Sequence, residues 1–139
     1  MKLQGINHLC FSVSDLAKSV DFYQKAFDAK LLVTGRSLAY FDLNGLWLAL
    51  NQEEADRSRY TRTYTHIAFT IEEGDWNNWM DKLEQAGAEV LPGRARDERD
   101  HRSVYFLDPD GHMFEFHTGT LADRMEYYKT DKPHMQFFD

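Results

Sequence analysis

The sequence predicts an α+β fold of two like halves, each a strand, a helix and then strands joined by tight turns. Three observations carry this. His8-Leu9-Cys10-Phe11-Ser12-Val13 reads like His66-Ile67-Ala68-Phe69-Thr70-Ile71, 58 positions later, and similarity at a fixed offset marks a duplicated unit. Each run is followed by apolar residues at helical spacing: Leu16, Val20, Tyr23 and Phe27 in the first half, Trp76, Trp79, Met80 and Leu83 in the second. Each half then has a turn, Asp42-Leu43-Asn44-Gly45 or Asp108-Pro109-Asp110-Gly111, leading into a strand-like run, Leu46 to Leu50 or His112 to Phe116. Such a half-sheet cannot hide its apolar face alone; pairing the halves, within or between chains, would.

In order, residues 1–51 form the first module, 52–63 a linker, 64–119 the second module, and 120–139 a C-terminal helix and tail. The linker carries Glu53, Glu54, Asp56, Arg57, Arg59 and Arg62, which suits an exposed connection. Thr120 to Tyr128 reads as a third helix, with Thr120 as N-cap and Asp123 in the first turn, and Lys132-Pro133 ends the segment.

Composition narrows the function classes. The 139 residues are 42% hydrophobic and 14% aromatic, enough for a core. Sixteen basic against 23 acidic residues give a net charge of −7, which argues against a nucleic-acid groove or an anionic membrane surface. No run of about 18 apolar residues spans a membrane, and the start lacks the pattern of a signal peptide. One cysteine, Cys10, excludes an internal disulfide framework and a Cys-rich zinc site. The expectation is a soluble cytoplasmic protein.

Strand alternation places the chemistry. Leu9, Phe11 and Val13 form one face of the first strand; His8, Cys10 and Ser12 form the other. In the equivalent strand Ile67, Phe69 and Ile71 face the core, opposite His66, Ala68 and Thr70; in the last strand Phe114 and Phe116 oppose Met113, Glu115 and His117. Metal-competent side chains thus turn away from three apolar faces. The repeat makes His8 and His66 mates. Aligning Asp42 with Asp108 and Gly45 with Gly111 makes Ala49 the mate of Glu115. Three ligands with a gap at the fourth is the pattern of a metal that binds substrate, and two imidazoles with one carboxylate suit Mn²⁺, Fe²⁺, Co²⁺, Ni²⁺ or Zn²⁺ better than Ca²⁺. His117 is the runner-up ligand, His112 after the turn glycine reads as structural, and His101 and His134 have no supporting pattern. Arg94, Arg96, Arg99 and Arg102 interleave with Asp97, Glu98 and Asp100, and most of the four read as a solvated, self-paired loop.

The stretches Ile6 to Val13, Thr63 to Phe69, Gly93-Arg94, Tyr105 to His112 and Glu115 to Leu121, with the closing Lys132-Pro133-His134-Met135, resemble the vicinal oxygen chelate (glyoxalase-like) superfamily. More narrowly the chain resembles its metallothiol transferases that inactivate the epoxide antibiotic fosfomycin, in the branch that uses bacillithiol. The resemblance implies paired βαβββ modules, domain-swapped in a homodimer. It implies a metal held by His8 of one chain and by His66 and Glu115 of the other, Mn²⁺ or Mg²⁺ first, with Ni²⁺, Co²⁺ and Zn²⁺ also compatible. It carries Tyr40, Trp47, Asn51, Tyr64, Arg94, Tyr105 and Arg124 over as fosfomycin-site residues, and gives Glu115 a proton-transfer role beside ligation. Bacillithiol (or L-cysteine) is the implied thiol. Cys10 is expected to line its channel, and its malate carboxylates call for a cationic site, for which the Arg94–Arg102 segment is the dense supply. Three alternatives within the superfamily are a glutathione-using enzyme, a hydrolytic one and a metal-free drug-binding module. A potassium-binding loop has no counterpart in Arg96 to Arg102, Arg36 to Phe41 holds no carboxylate base for hydrolysis, and all three ligands are retained.

Overall fold

Asp15 stops the first strand and starts the first helix: its extended backbone turns the chain, and its carboxylate accepts from the Lys18 amide at 3.1 Å. Asp28 ends that helix in the left-handed region. The computed structural model describes residues 1–138. In chain order the elements are β1 (His8–Val13), α1 (Leu16–Phe27), β2 (Lys30–Thr34), β3 (Leu38–Leu43), β4 (Leu46–Gln52), β5 (Ile67–Thr70), α2 (Trp76–Gln85), β6 (Glu89–Leu91), β7 (Ser103–Leu107), β8 (Met113–His117) and α3 (Leu121–Asp131). A short 3₁₀ turn at Arg57–Arg59 lies in the connection between the halves. Gln52 completes β4.

Each half is a βαβββ module with a four-stranded sheet, ordered β1-β4-β3-β2 in the first and β5-β8-β7-β6 in the second. The first strand of each module lies parallel to the last, and the rest are antiparallel. In the first module Asn44-Gly45, both with positive φ, close a two-residue hairpin between Leu43 and Leu46. In the second, residues 108–112 separate the last pair, Leu107 and Met113.

The register tests the repeat alignment directly. Cys10 pairs with Ala49 and Ala68 pairs with Glu115, so Ala49 and Glu115 are equivalent. Across the antiparallel ladder Ala49 meets Tyr40 and Glu115 meets Tyr105. Tyr40 and Tyr105 are therefore mates, and the second turn holds one residue more than the first. Asp42, aligned from sequence with Asp108, instead occupies the place of Leu107. Both aspartates still close their turns: Asp42 accepts from the Gly45 amide at 2.7 Å, and Asp108 from the Asp110 and His112 amides at 3.0 and 2.8 Å.

Both sheets turn their apolar faces into one core. Val13, Phe41, Leu48 and Leu50 of the first share it with Val104, Phe106, Phe114 and Phe116 of the second. The α1 residue Phe27 is the wedge: its ring lies 5.1–5.5 Å from Phe69, Phe106, Phe114 and Phe116, mostly edge to face. The polar faces of both sheets consequently point away from this core. A second junction is polar. The Tyr23 hydroxyl donates to Asp108 at 2.7 Å, His112 Nε2 donates to the Ser12 carbonyl at 2.8 Å, and Asp110 accepts from the Ser14 amide at 3.0 Å. Burial pushes both the Tyr23 phenol and the Asp108 carboxyl above their ordinary pKa values.

Helix α3 begins at a capping box formed by Thr120 and Asp123 and runs three residues beyond the sequence expectation, to Asp131. Hydrogen bonds from the Thr120 hydroxyl and backbone hold the Asp123 carboxyl below the usual carboxylate range. A depressed carboxyl contributes stability that is present above its unfolded value, about pH 4, and is lost as pH falls through the folded value. Amide-exchange protection factors across Leu121–Asp131, taken relative to the intrinsic rate at each pH, should therefore fall below about pH 4, and the step should vanish in Asp123→Ala. Tyr23→Phe leaves a buried carboxylate short of a donor and should lower urea-melt stability by about 1–3 kcal/mol.

Candidate metal centre

His66 immediately precedes β5, and Glu115 is the central residue of β8. Strand alternation puts Glu115 on the polar face, where it is nevertheless 7% exposed. The His66 Nε2 lies 3.0 Å from Glu115 Oε2. His66 Nδ1 lies 2.6 Å from the Tyr64 carbonyl. A carbonyl only accepts, so Nδ1 carries the proton and Nε2 of the neutral ring presents a lone pair. Two lone pairs facing each other at this distance require a proton or a cation between them. An imidazole oriented through its far nitrogen is how a histidine ligand is held, so this pair fits a divalent metal. The other carboxylate oxygen, Oε1, is fixed by the Ser103 hydroxyl at 2.5 Å.

His8 has the same local design in the first module. Its Nδ1 lies 2.6 Å from Asn7 Oδ1, which leaves Nε2 free, and its ring leans on Trp47 at 4.4 Å. Trp47 meets Tyr40 edge-on at 5.2 Å, and Cys10 and Asn51 share this exposed face. The chain does not bring His8 to His66 and Glu115: among the described residues no three His, Cys, Asp or Glu side chains assemble as a metal cage. The two faces turn away from one core, so each chain displays two half-sites.

Aromatic residues wall the Glu115 half-site. His66 sits 4.8 Å from the Tyr64 ring and 5.2 Å from the Tyr105 ring, and the two tyrosine hydroxyls are 2.7 Å apart. Burial, the Tyr64 hydroxyl and the Glu115 charge raise the Tyr105 pKa far above neutrality, so Tyr105 acts as a hydrogen-bond donor. His117 Nδ1 approaches Ser103 Oγ at 2.7 Å and the Arg102 carbonyl at 3.1 Å. Burial, with Arg124 and Arg96 nearby, lowers its pKa against the opposing pull of the Glu115 charge.

The arginines divide differently from the sequence expectation. Arg96 is no solvated loop residue: its side chain is 14% exposed, it donates to the Tyr105 hydroxyl at 2.9 Å, and it lies 3.7 Å from Glu115 Oε1. Its Nη1 is buried without an acceptor. Arg94 and Arg124 instead converge on buried Asp100, at 3.9 and 3.0 Å. Arg99 pairs with Asp97 and Asp131, as a self-paired surface loop would. No local signal singles out Arg96: it lies seven residues ahead of β7, and Asp97 and Glu98, which follow it directly, read as its partners in a solvated loop.

Residues 5–116 match the Glyoxalase/Bleomycin resistance protein/Dioxygenase superfamily. The chain is 61% identical to the metallothiol transferase FosB of Lysinibacillus sphaericus, over 100% of this chain and 99% of that protein. It is 52% identical to the FosB of Staphylococcus saprophyticus, over 99% and 91%. Among solved structures it resembles the fosfomycin resistance protein FosX of Listeria monocytogenes, complexed with Mn(II) and 1S,2S-dihydroxypropylphosphonic acid. That likeness has a TM-score of 0.81 at 34% identity, covering 91% of this chain and 99% of the other.

The paired geometry of His66 and Glu115 sets an outcome for metal binding alone. Glu115→Gln keeps the side chain's shape but removes its charge. Mn²⁺ affinity, followed by the loss of the free-ion EPR signal, should fall at least tenfold, about 1.4 kcal/mol, with unchanged far-UV circular dichroism.

Proposed function

The chain belongs to the glyoxalase/bleomycin resistance protein/dioxygenase superfamily and, within it, to the FosB metallothiol transferases, and from that premise we propose that it inactivates fosfomycin by adding bacillithiol or L-cysteine to the epoxide. The observation that carries the reading is the His66–Glu115 pair, two lone-pair donors 3.0 Å apart with the far side of the imidazole already anchored. His66 and Glu115 of one copy, with His8 of a second, would hold a divalent ion, Mn²⁺ or Mg²⁺ by likeness. When bound, the metal supplies Lewis acidity to the epoxide oxygen. The outward-facing half-sites support a homodimer in which each site draws on both chains. Among the described residues no helix is long and apolar enough to cross a membrane.

The protein's own residues do the rest. The phosphonate of fosfomycin needs donors, and Arg94 and Arg124, held together by Asp100, supply them with the Tyr64 and Tyr105 hydroxyls. Tyr40, Trp47 and Asn51, which share the His8 face, would close the opposite wall from the second copy. Arg96 and Ser103 pin Glu115 Oε1, so the carboxylate keeps one orientation through the reaction. The thiolate sulfur bonds to an epoxide carbon as that carbon's C–O bond breaks, and the thiol's proton ends on the oxygen released. Cys10 lies on the His8 face and is accessible, which suits a channel-lining role.

Product mass decides among the readings. Incubation of fosfomycin with the Mn²⁺-loaded protein should give the thiol adduct with bacillithiol or cysteine, and neither the diol nor the glutathione adduct in comparable yield. A diol formed in the absence of thiol would establish hydrolysis instead. Arg124→Ala should raise the fosfomycin KM more than tenfold, about 1.4 kcal/mol, with Mn²⁺ affinity unchanged.

A further inference from the structure

Helix α3 belongs to neither βαβββ module, and the element it packs against most is the 3₁₀ turn Glu98–Asp100, in the loop that carries Arg94. Three consecutive residues of that loop meet charged partners on the helix. Arg99 Nη1 lies 2.7 Å from Asp131, Asp100 Oδ1 lies 3.0 Å from Arg124 Nη1, and His101 Nε2 lies 3.6 Å from Asp123. The Arg99 guanidinium also covers the Tyr127 ring at 4.5 Å. A cavity of about 440 Å³, lined by Arg99 and His101 of the loop and by Asp123 and Tyr127 of the helix, lies between the two. Charged side chains span it. The loop is strained where it leaves the turn: His101 has φ 59° and ψ −169°, a conformation that favours glycine and persists only where the surroundings impose it.

Asp100 is the fixed point of this contact. It is 6% exposed, and its Oδ2 accepts from the Asp97 amide of its own turn at 3.4 Å. Two long cationic side chains reach it from different elements, Arg94 from the loop at 3.9 Å and Arg124 from the helix at 3.0 Å. A buried carboxylate anchored to backbone holds its cations at a set distance from each other. We propose that α3 is a clamp on the arginine loop: Asp100 is a positioning residue that sets the spacing of Arg94 and Arg124 for a phosphonate, and the Arg99–Asp131 bridge pins the loop to the helix. Both carboxylates act through the arginines. The proposal rests on the fosfomycin reading for the identity of the anion; the clamp is a property of the free protein.

Charge reversal at Asp131 is the test, because the clamp and simple electrostatics predict opposite signs. Asp131→Arg makes the chain more positive, and long-range attraction alone would tighten an anion. An opened clamp lets Arg94 and Arg124 spread, which weakens it. The Mg²⁺-loaded protein is titrated calorimetrically with fosfomycin and with methylphosphonate, in the absence of thiol. Both Kd values should rise at least threefold in Asp131→Arg, with Mn²⁺ affinity within twofold of wild type. Amide exchange at residues 97–102 should quicken at constant pH while the amides of β7 and β8 keep their rates. In turnover, fosfomycin KM should rise and kcat stay within twofold. Unchanged or tighter anion binding, unchanged exchange in the loop, or a loss confined to kcat would overturn the clamp. Asp100→Asn keeps the side chain's shape and should also weaken both anions; tighter binding would mean that Asp100 competes with the anion instead of placing its donors. If the wild-type protein forms no thiol adduct, the transferase reading fails, and loop exchange in Asp131→Arg still decides the clamp.

Discussion

Everything in this molecule follows from both sheets spending their apolar faces on the same core. Phe27 of the first module sits among four aromatic rings of the second, an aromatic cluster whose loss would cost several kcal/mol on the usual scale for a buried phenylalanine, about 3–5. A β-strand has only two faces, so a shared apolar core leaves the polar faces looking outward. His8 and the His66–Glu115 pair are consequently separated within one chain by the protein's own hydrophobic interior. On the reading proposed above, the same packing that stabilises the monomer fold would make a complete centre a property of two chains.

Within each half-site, order comes from the residue on the far side. Tyr64 contributes a carbonyl to His66, Asn7 an amide oxygen to His8, and Ser103 a hydroxyl to Glu115. These contacts choose a tautomer or a rotamer in advance, which would lower the ordering cost of binding the proposed cation. The duplicated scaffold is then used asymmetrically. Tyr40 and Tyr105 occupy matching places, yet Tyr40 faces Ala49 while Tyr105 faces Glu115. One module gives hydrophobic wall and the other gives charge.

Much of this was legible in the sequence because period-2 alternation and a 58-residue echo are local signals. They point to the faces of β1, β5 and β8, while the matched turns give the equivalence of Ala49 and Glu115 and the Thr-x-x-Asp spacing gives the Thr120 cap. The failures share one physical cause. The added residue in the second turn shifts Asp108 off the place of Asp42, and a turn's length is visible only through the pairing it permits. Arg96 and Asp100 looked like solvated loop charges, and their burial is decided by partners on β7 and α3. Charge alone does not tell an inward arginine from an outward one.

The junction of Tyr23, Asp108, His112 and Ser12 ties the end of the strand that begins at His8 to the turn that launches Glu115. In the two-copy arrangement proposed above, a single chain lends His8 to one centre and His66 with Glu115 to the other. A chain defective only at Glu115 would silence one centre of a mixed dimer and spare its twin. A chain defective at this junction would disturb both, because it misplaces what it gives in each direction. Inherited alongside a sound copy, the first lesion would be half-silent and the second dominant.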